Sequence, residues 1–258
     1  MTTDTTARAS SKLSEAVLLE MFWVMLLSRR LDERSWALHR QGKIAFHISA
    51  MGHEAAQVGA AYAINRGVDY FCPYYRDLTM ALAIGITPIE FMLSLLGKKD
   101  DPSSSGRQMP FHFSSTKLNI VSGSSVVSTQ VPHAAGLAFA IKYRQKTGLT
   151  DPNDVSQPRL ALTCLGEGST SQGEWHEGMN WAGVHRLPFI CLVQNNTYAI
   201  SVPMTSQMAV ENVADRAAAY GVTGVSVDGN DVLAVYDVMT EAVAVSYTHL
   251  TLTTSDLV

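Results

Sequence analysis

The chain has 258 residues, of which 47% are apolar and 16% charged, and its net charge is −4 with a pI near 6.0. This apolar fraction can bury a substantial core and excludes a disordered chain, while the charge balance excludes the basic excess typical of nucleic-acid binding. The stretch AVLLEMFWVMLL is interrupted by Glu20 and is too short to span a bilayer.

The first part of the chain predicts a flexible terminus followed by helices. Residues 1–13 are polar and predict a flexible N-terminus. A helix is predicted over 14–40 and a second over 52–66, and each is followed closely by a glycine, which commonly ends a helix.

The segment TPIEF predicts the start of a third helix. Thr87 can cap it, Pro88 suits the first helical position, and Glu90 completes a capping box. This helix should end at Gly97. The serine- and glycine-rich segment 98–130 then predicts a long loop, which its central apolar residues indicate is ordered and functional.

The second half of the chain changes to an alternating pattern. A helix is predicted over 131–145 and a surface loop over 146–158. Short apolar runs at 160–165 and 188–193 flank the helical spacing of 172–184, which predicts a βαβ unit with parallel strands and a right-handed crossover. Because the runs are apolar at nearly every position, we expect both sheet faces to be covered.

Both strands of this unit end in polar residues. The first ends in GEG, with Glu167 at its centre, and the second ends in QNNTY, which contains Asn196. Because carboxyl ends of parallel strands share one sheet edge, Glu167 and Asn196 should lie close together where ligands bind. A carboxylate, an amide oxygen and glycines suit Mg²⁺ and a phosphate group. Either motif alone is also typical of an ordinary turn.

The GEG and NN motifs, separated by 26 residues, resemble the thiamine diphosphate motif, with glutamate in place of its usual aspartate. Longer segments, among them SQGEWHEGMNWAGV, NNTYAISVPMTSQ and VDGNDVLAVYDV, resemble the α subunit of the E1 component of 2-oxo acid dehydrogenase complexes. The chain is most similar to the branched-chain form, the 2-oxoisovalerate dehydrogenases. The resemblance covers about 29–243.

This resemblance implies an α/β thiamine diphosphate-binding fold, with a doubly wound, mainly parallel sheet, helices on both faces and a helical N-terminal segment. The domain should occupy 14–245 and be C-terminally incomplete. Residues 246–258 should form an atypical tail, because SYTHLTLTTSDLV does not resemble the family's continuation.

The implied function is thiamine diphosphate- and Mg²⁺-dependent oxidative decarboxylation of branched-chain 2-oxo acids, with acyl transfer to the lipoyl group of E2. An α₂β₂ assembly with an E1 β subunit is implied, and the β subunit would supply the activating base. No catalytic residue is therefore assigned to this chain, and the isolated chain should be inactive. The expected compartment is the cytoplasm, or the mitochondrial matrix in a eukaryote.

The resemblance also implies roles for individual residues. Mg²⁺ would be bound by Glu167, Asn196 and the backbone carbonyl of Tyr198. The wider cofactor-binding set is Tyr75, Arg76, Ser125, Val127, Gly166, Glu167, Gly168, Ser169, Gln194, Asn196 and Tyr198. A potassium ion would be held by Ser124, Thr129 and Gln130, and the acyl pocket would be walled by Phe46, Tyr74 and Tyr75. Without the resemblance, Arg76 would be expected to form a salt bridge within the chain, to Asp77 or another acidic residue.

Other functions compete with this interpretation. The chain could be a pyruvate dehydrogenase E1 α subunit or a truncated, non-catalytic fragment. A dinucleotide-binding dehydrogenase is disfavoured, because GEGSTS lacks the third glycine and the acidic residue of that fingerprint. A stand-alone thiamine enzyme would need a second domain. Finally, Cys72, Cys164 and Cys191 form no CxxC pair and are predicted to be buried thiols in a reducing compartment.

Overall fold

A computed structural model describes residues 8–149 and 158–247, together with the backbone of Leu252–Leu257. Most of the predicted surface loop 146–158 lies outside the described residues. Within the N-terminal segment predicted to be flexible, Ala9–Lys12 instead forms a short 3₁₀-helix. Ser10 anchors it, since its backbone N–H and hydroxyl donate to the Asp237 carboxylate at 2.6 and 2.8 Å.

Four helices make up the first part of the fold. They are α1 (Glu15–Arg40), α2 (Glu54–Ala63), α3 (Leu78–Ile84) and α4 (Pro88–Leu95). Ser14 caps α1, and the capping box of Thr87 and Glu90 forms as predicted, with its two backbone bonds at 3.2 and 2.7 Å. Helix α2 is shorter than predicted, and α3 was not predicted.

The long loop after α4 contains isolated bridges but no regular helix or strand before α5 (Gln130–Thr147) begins. Its aromatic residues Phe111 and Phe113 are buried and pack against Phe91 of α4, with ring centroids 5.6 and 6.4 Å away. The loop is therefore tied to the core by its apolar residues, as their presence predicted.

A five-stranded sheet runs through the centre of the molecule in the order β1-β2-β3-β7-β6, and all of its neighbouring pairs are parallel. Its strands are β1 (Tyr70–Cys72), β2 (Ala161–Gly166), β3 (Phe189–Gln194), β6 (Thr223–Val227) and β7 (Leu252–Leu257). A separate antiparallel hairpin is formed by β4 (Tyr198–Ala199) and β5 (Val202–Pro203).

Strand β7 lies inside the segment predicted to be an atypical tail. It fills the position between β3 and β6, so this segment joins the sheet although its sequence departs from the resemblance. Its threonine-rich sequence, LTTSDL, contains residues that favour strands.

The predicted βαβ unit is confirmed by β2, α6 (Gly173–His185) and β3, because β2 and β3 pair in parallel with Gly166 opposite Gln194. Helix α6 does not start directly after β2. A 3₁₀-helix, Glu167–Ser171, intervenes. We refer to Glu167–Ser171 as the β2 turn.

Helices cover both faces of the sheet. Leu162 and Ile190 point to a core shared with α2, α3 and α7 (Val232–Tyr247), while Leu165 and Phe189 point to a core shared with α5 and α6. This alternation along β2 and β3 confirms the predicted doubly wound α/β arrangement.

Cys72, Cys164 and Cys191 are buried free thiols in this structure, as predicted for their side chains. In the described parts of the chain, every helix is either too short or too polar to cross a bilayer.

Candidate functional site

The ends of β2 and β3 bring Glu167 and Asn196 together, as predicted. The Asn196 backbone N–H donates to Glu167 Oε2 at 3.3 Å across 29 positions of sequence. The contact follows from the parallel register, which sets Gly166 opposite Gln194 at the last pair of the two strands. This sheet edge is where open α/β sheets bind ligands.

The Glu167 carboxylate is buried and partly unshared. The residue is 1% exposed, and Oε1 has no hydrogen-bond partner among the described residues. Burial raises the pKa of Glu167, while the N–H groups of Glu167, Asn196 and Gly168 and the charge of Arg76 oppose that rise. Burying a carboxylate whose Oε1 has no hydrogen-bond partner in the described chain lowers the stability of the fold, and a bound cation would offset that loss.

The segment after β3 is both a turn and part of the site. Asn195 Oδ1 accepts the Thr197 N–H at 2.8 Å, and Asn196 Oδ1 accepts the Tyr198 N–H at 3.1 Å. Thr197 has φ 66°, which is rare for a β-branched residue. Two local side-chain bonds thus hold this bend and leave Asn196 and Tyr198 exposed beside Glu167.

Gly168 allows the β4–β5 hairpin to approach the β2 turn. A Cβ at Gly168 would lie 2.6 Å from Ala199 Cβ, closer than real Cβ atoms approach. Ser169, the next predicted cofactor residue, is buried in the same turn. The glycine therefore sets how closely the hairpin carrying Tyr198 approaches Glu167.

Arg76 and Tyr75 lie together at the start of α3. The Arg76 guanidinium carbon is 5.5 Å from the Tyr75 ring centroid, and Arg76 Nη1 donates to the Ser49 carbonyl at 2.7 Å. The alternative pairing with Asp77 does not form. Asp77 instead accepts the Tyr74 N–H at 2.9 Å and Gln194 Nε2 at 2.8 Å. Arg76 therefore keeps its charge within electrostatic reach of Glu167.

Gln194 was predicted to contact the cofactor, but its side chain is buried beneath the strand ends. Its Oε1 accepts Gln57 Nε2 at 2.9 Å, and its Nε2 donates to Asp77. Burial raises the pKa of Asp77 to about 7. Sequence reasoning missed Gln57, although a glutamine among the small apolar residues that follow Glu54 in EAAQVGAAYA is a signal for a buried polar network.

The loop before α5 contains the other predicted ligands. Ser125 Oγ lies 2.7 Å from His112 Nε2, and Val127 is half-buried. The predicted potassium ligands already have bonds within the chain. Ser124 Oγ accepts the Val126 N–H at 3.1 Å, Thr129 Oγ1 donates to the Val126 carbonyl at 2.8 Å, and Gln130 Nε2 donates to the Cys164 carbonyl at 2.8 Å.

The three predicted pocket residues differ in position. Tyr74 is buried in the core, where desolvation raises the pKa of its hydroxyl, and its ring centroid is 5.0 Å from that of Tyr75. Phe46 and Tyr75 are half-buried and pack at the edge of the same core. Only Phe46 and Tyr75 therefore keep the partial exposure that a pocket wall needs.

No group of three or more His, Cys, Asp or Glu side chains gathers in the described parts of the chain. The predicted magnesium ligands are instead one carboxylate, one amide oxygen and one backbone carbonyl, a set that suits a hard cation which keeps several waters.

Comparisons of the sequence with known proteins identify one family. Residues 23–249 match the family model described as "Dehydrogenase E1 component". Over 230 residues, 89% of this chain, the sequence is 50% identical to 2-oxoisovalerate dehydrogenase subunit alpha of Bacillus subtilis, of which the match covers 66%. Over an equal length it is 36% identical to pyruvate dehydrogenase E1 component subunit alpha of Staphylococcus aureus (strain Mu50), covering 56% of that protein.

The chain thus spans between about half and two thirds of the length of these relatives. Among solved structures, the transketolase from Leishmania mexicana superposes with a TM-score of 0.62 at 15% identity, over 90% of this chain and 36% of that one. At this identity the likeness concerns the fold alone.

Proposed function

This chain belongs to the family of dehydrogenase E1 components, and on that premise we propose that it is the cofactor-binding α subunit of a branched-chain 2-oxo acid dehydrogenase E1. The observation that carries the proposal is the buried Glu167 carboxylate, whose Oε1 is unshared beside Asn196. The higher identity to the 2-oxoisovalerate enzyme than to the pyruvate enzyme supports the branched-chain substrate class.

The residues at the strand ends fit Mg²⁺. Glu167 would supply a carboxylate oxygen, Asn196 its amide oxygen and Tyr198 its backbone carbonyl, all oxygen ligands of the kind Mg²⁺ prefers. Binding a cation would also offset the cost of burying Glu167, which the unshared Oε1 otherwise leaves uncompensated.

The surrounding residues fit a diphosphate. Gly168 leaves room for close backbone approach, and Arg76 offers a guanidinium that matches phosphate geometry. Tyr75 supports Arg76 by stacking against it. When bound, thiamine diphosphate supplies the carbanion chemistry of 2-oxo acid decarboxylation, while the protein positions it and excludes water.

The proposal includes a potassium ion at Ser124, Thr129 and Gln130. Ser124 and Thr129 belong to the loop before α5, and Gln130 is the first residue of α5. The same loop contacts the β2 turn, since Ser128 Oγ donates to the Ser169 carbonyl at 2.6 Å. An ion there would support the loop that holds Ser125 and Val127.

The proposed partners are an E1 β subunit and the lipoyl domain of E2. Both relatives are named as alpha subunits, which supports an assembly of this chain with at least one other subunit. Exposed apolar residues on α1, α5 and α6 support a protein partner, because they would otherwise face water. The activating base would come from the β subunit.

The metal role is tested by Glu167→Gln, which keeps shape and removes the charge. In the chain assembled with a branched-chain E1 β subunit, we expect Mg²⁺-dependent thiamine diphosphate affinity by calorimetry to fall at least about tenfold, or about 1.4 kcal/mol. Glu177→Gln, on the exposed face of α6, is the matched control and should bind normally. Unchanged binding by the Glu167 variant would refute the metal role.

The substrate class is tested with the same assembly by comparing 2-oxoisovalerate with pyruvate. The second candidate, a pyruvate dehydrogenase α subunit, rests on the 36% identity to that enzyme. We expect a higher kcat/KM for 2-oxoisovalerate, and a higher value for pyruvate would favour the second candidate.

A further inference from the structure

The β2 turn has an unusual set of hydrogen bonds on its carbonyl side. Four consecutive carbonyl oxygens each accept a bond from a side chain. Thr170 Oγ1 donates to the carbonyl of Glu167 at 2.6 Å, and Gln207 Nε2 donates to that of Gly168 at 2.6 Å. Ser128 Oγ donates to the carbonyl of Ser169 at 2.6 Å, and Arg216 Nη1 donates to that of Thr170 at 2.9 Å.

Three of the four donors come from distant parts of the chain. Ser128, Gln207 and Arg216 lie 41, 39 and 46 positions from their acceptors. Ser128 precedes α5, Gln207 follows β5, and Arg216 belongs to the 3₁₀-helix Val213–Tyr220. We call these three residues the turn clamp. Three separate segments therefore contribute tertiary contacts to the turn, in addition to its local bond from Thr170.

The clamp residues are themselves fixed. Ser128 is fully buried. Arg216 also donates to Thr170 Oγ1 at 3.0 Å, and its guanidinium carbon lies 5.9 Å from the Trp175 ring centroid. Gln207 Nε2 reaches Ser171 Oγ at 3.3 Å as well as the Gly168 carbonyl. Because these side chains have fixed positions, their hydrogen bonds hold the carbonyl groups of the turn in fixed positions as well.

Two of the clamp residues reach the backbone of Glu167 and its neighbour. Thr170 Oγ1 donates to the Glu167 carbonyl and accepts from Arg216 Nη1, so Arg216 is linked to the Glu167 backbone through one hydroxyl. Gln207 holds the next carbonyl, that of Gly168. Because each peptide unit is planar, holding these two carbonyls fixes the orientation of the backbone directly after the Glu167 side chain.

We infer that Gln207, Ser128 and Arg216 are positioning residues that orient the Glu167 carboxylate for the metal. The inference rests on the proposed function, since it assumes that Glu167 binds Mg²⁺. It extends that function to residues outside the ligand set predicted from the sequence. Groups that orient a ligand typically affect metal affinity by about 10- to 100-fold when they are removed.

The test uses Mn²⁺ in place of Mg²⁺, because its electron paramagnetic resonance reports both affinity and ligand geometry. The chain assembled with its E1 β subunit is titrated with Mn²⁺ at saturating thiamine diphosphate. We expect Gln207→Met and Ser128→Ala each to weaken Mn²⁺ binding about tenfold and to change the bound line shape. Gln41→Met, the same change at the exposed end of α1, should alter neither.

Arg216 provides a graded comparison. Arg216→Lys keeps a donor and should retain more Mn²⁺ affinity than Arg216→Met. If instead the clamp variants lower only the unfolding temperature, and the folded protein binds Mn²⁺ with unchanged affinity and line shape, the inference is overturned. If the unsubstituted assembly binds no Mn²⁺ with thiamine diphosphate, the proposed function fails and the inference fails with it.

Discussion

The two glycines that flank Glu167 have different surroundings. A Cβ at Gly168 would lie 2.6 Å from Ala199 Cβ and 3.4 Å from Gln207 Nε2, whereas a Cβ at Gly166 would meet nothing closer than the Gln194 carbonyl at 3.9 Å. Gly166 also has φ −81° and ψ 159°, which any residue adopts. Gly168 is therefore required by packing and Gly166 is not.

We expect Gly168→Ala to lower the free energy of unfolding by about 1–3 kcal/mol, because the hairpin at Ala199 must move to admit the methyl group. Gly166→Ala is the matched control, and its effect should stay within about 1 kcal/mol. Chemical unfolding of both variants measures the difference. Equal effects at the two positions would show that the close approach of the hairpin is not a packing requirement.

At this scale, the sequence predicts which residues meet at the sheet edge better than it predicts the residues that support them. Glu167 and Asn196 were predictable because each follows an apolar run that ends at one sheet edge. The partners of Gln57, Gln207 and Arg216 were not, because each partner lies far away in sequence. Gln57 meets Gln194 across 137 positions, and nothing local to either residue indicates that pair. Gln194 likewise has buried side-chain partners that its position at the end of β3 does not indicate.

Among elements, those with strong local signals were predicted well. Helix α1 has a serine cap and α4 a complete capping box, so their starts agree with the structure. Helix α3 was missed because all seven of its residues are buried and its sequence, LTMALAI, has no amphipathic period. Strand β1 has only three residues, too few to give an alternating pattern. Both α3 and β1 are therefore stabilised by tertiary packing and not by a pattern in their own sequence.

Asp69 joins several of these elements. Its carboxylate accepts the N–H groups of Asn65 and Leu160 at 2.8 and 2.9 Å and the Tyr247 hydroxyl at 2.8 Å. It thereby ties the end of α2 to the start of β2 and the end of α7. Burial nevertheless raises the pKa of Asp69 from 3.8 to about 6.

Because the folded pKa is the higher one, the folded state binds more protons than the unfolded state between about pH 4 and pH 6. The contribution of Asp69 to stability should therefore fall as pH rises through this window, by on the order of 3 kcal/mol. Asp69→Asn removes this titration, so the variant should gain stability relative to the parent from pH 4 to pH 6. Unfolding midpoints measured across that range test this.

Asp100→Asn, at an exposed position, serves as the control and should follow the parent at every pH. A pH-independent difference between Asp69→Asn and the parent would contradict the shifted titration.

In the described part of the chain, apolar surface is exposed on α1 and on the pair α5 and α6. On α1, Leu19, Phe22 and Trp23 are each 60% exposed and share one face by their spacing. On α5 and α6, Phe139 packs against Trp181 with centroids 5.6 Å apart, and Trp181 remains 46% exposed. Exposed apolar surface of this kind is typical of subunits that bury it against a partner.

We expect the isolated chain to self-associate, because these surfaces can be removed from water only by contact between copies. Sedimentation velocity should show species larger than a monomer that increase with concentration. The double variant Leu19→Gln and Phe22→Gln should shift the distribution towards monomer, whereas Arg34→Gln on the same helix should not. A monomeric parent at all concentrations would argue against an obligate partner.

The buried cysteines have a consequence for chemical labelling. Cys72 and Cys191 lie on strands that flank Thr163 at the same register, while Cys164 faces the opposite core. Burial raises the pKa of Cys72 and Cys191 to about 12, so both access and thiolate formation are suppressed in the folded state. An alkylating dye can therefore reach these sulfurs only when the central sheet opens. Its rate of incorporation measures how often the sheet opens, on the face of Cys72 and Cys191 and on the face of Cys164.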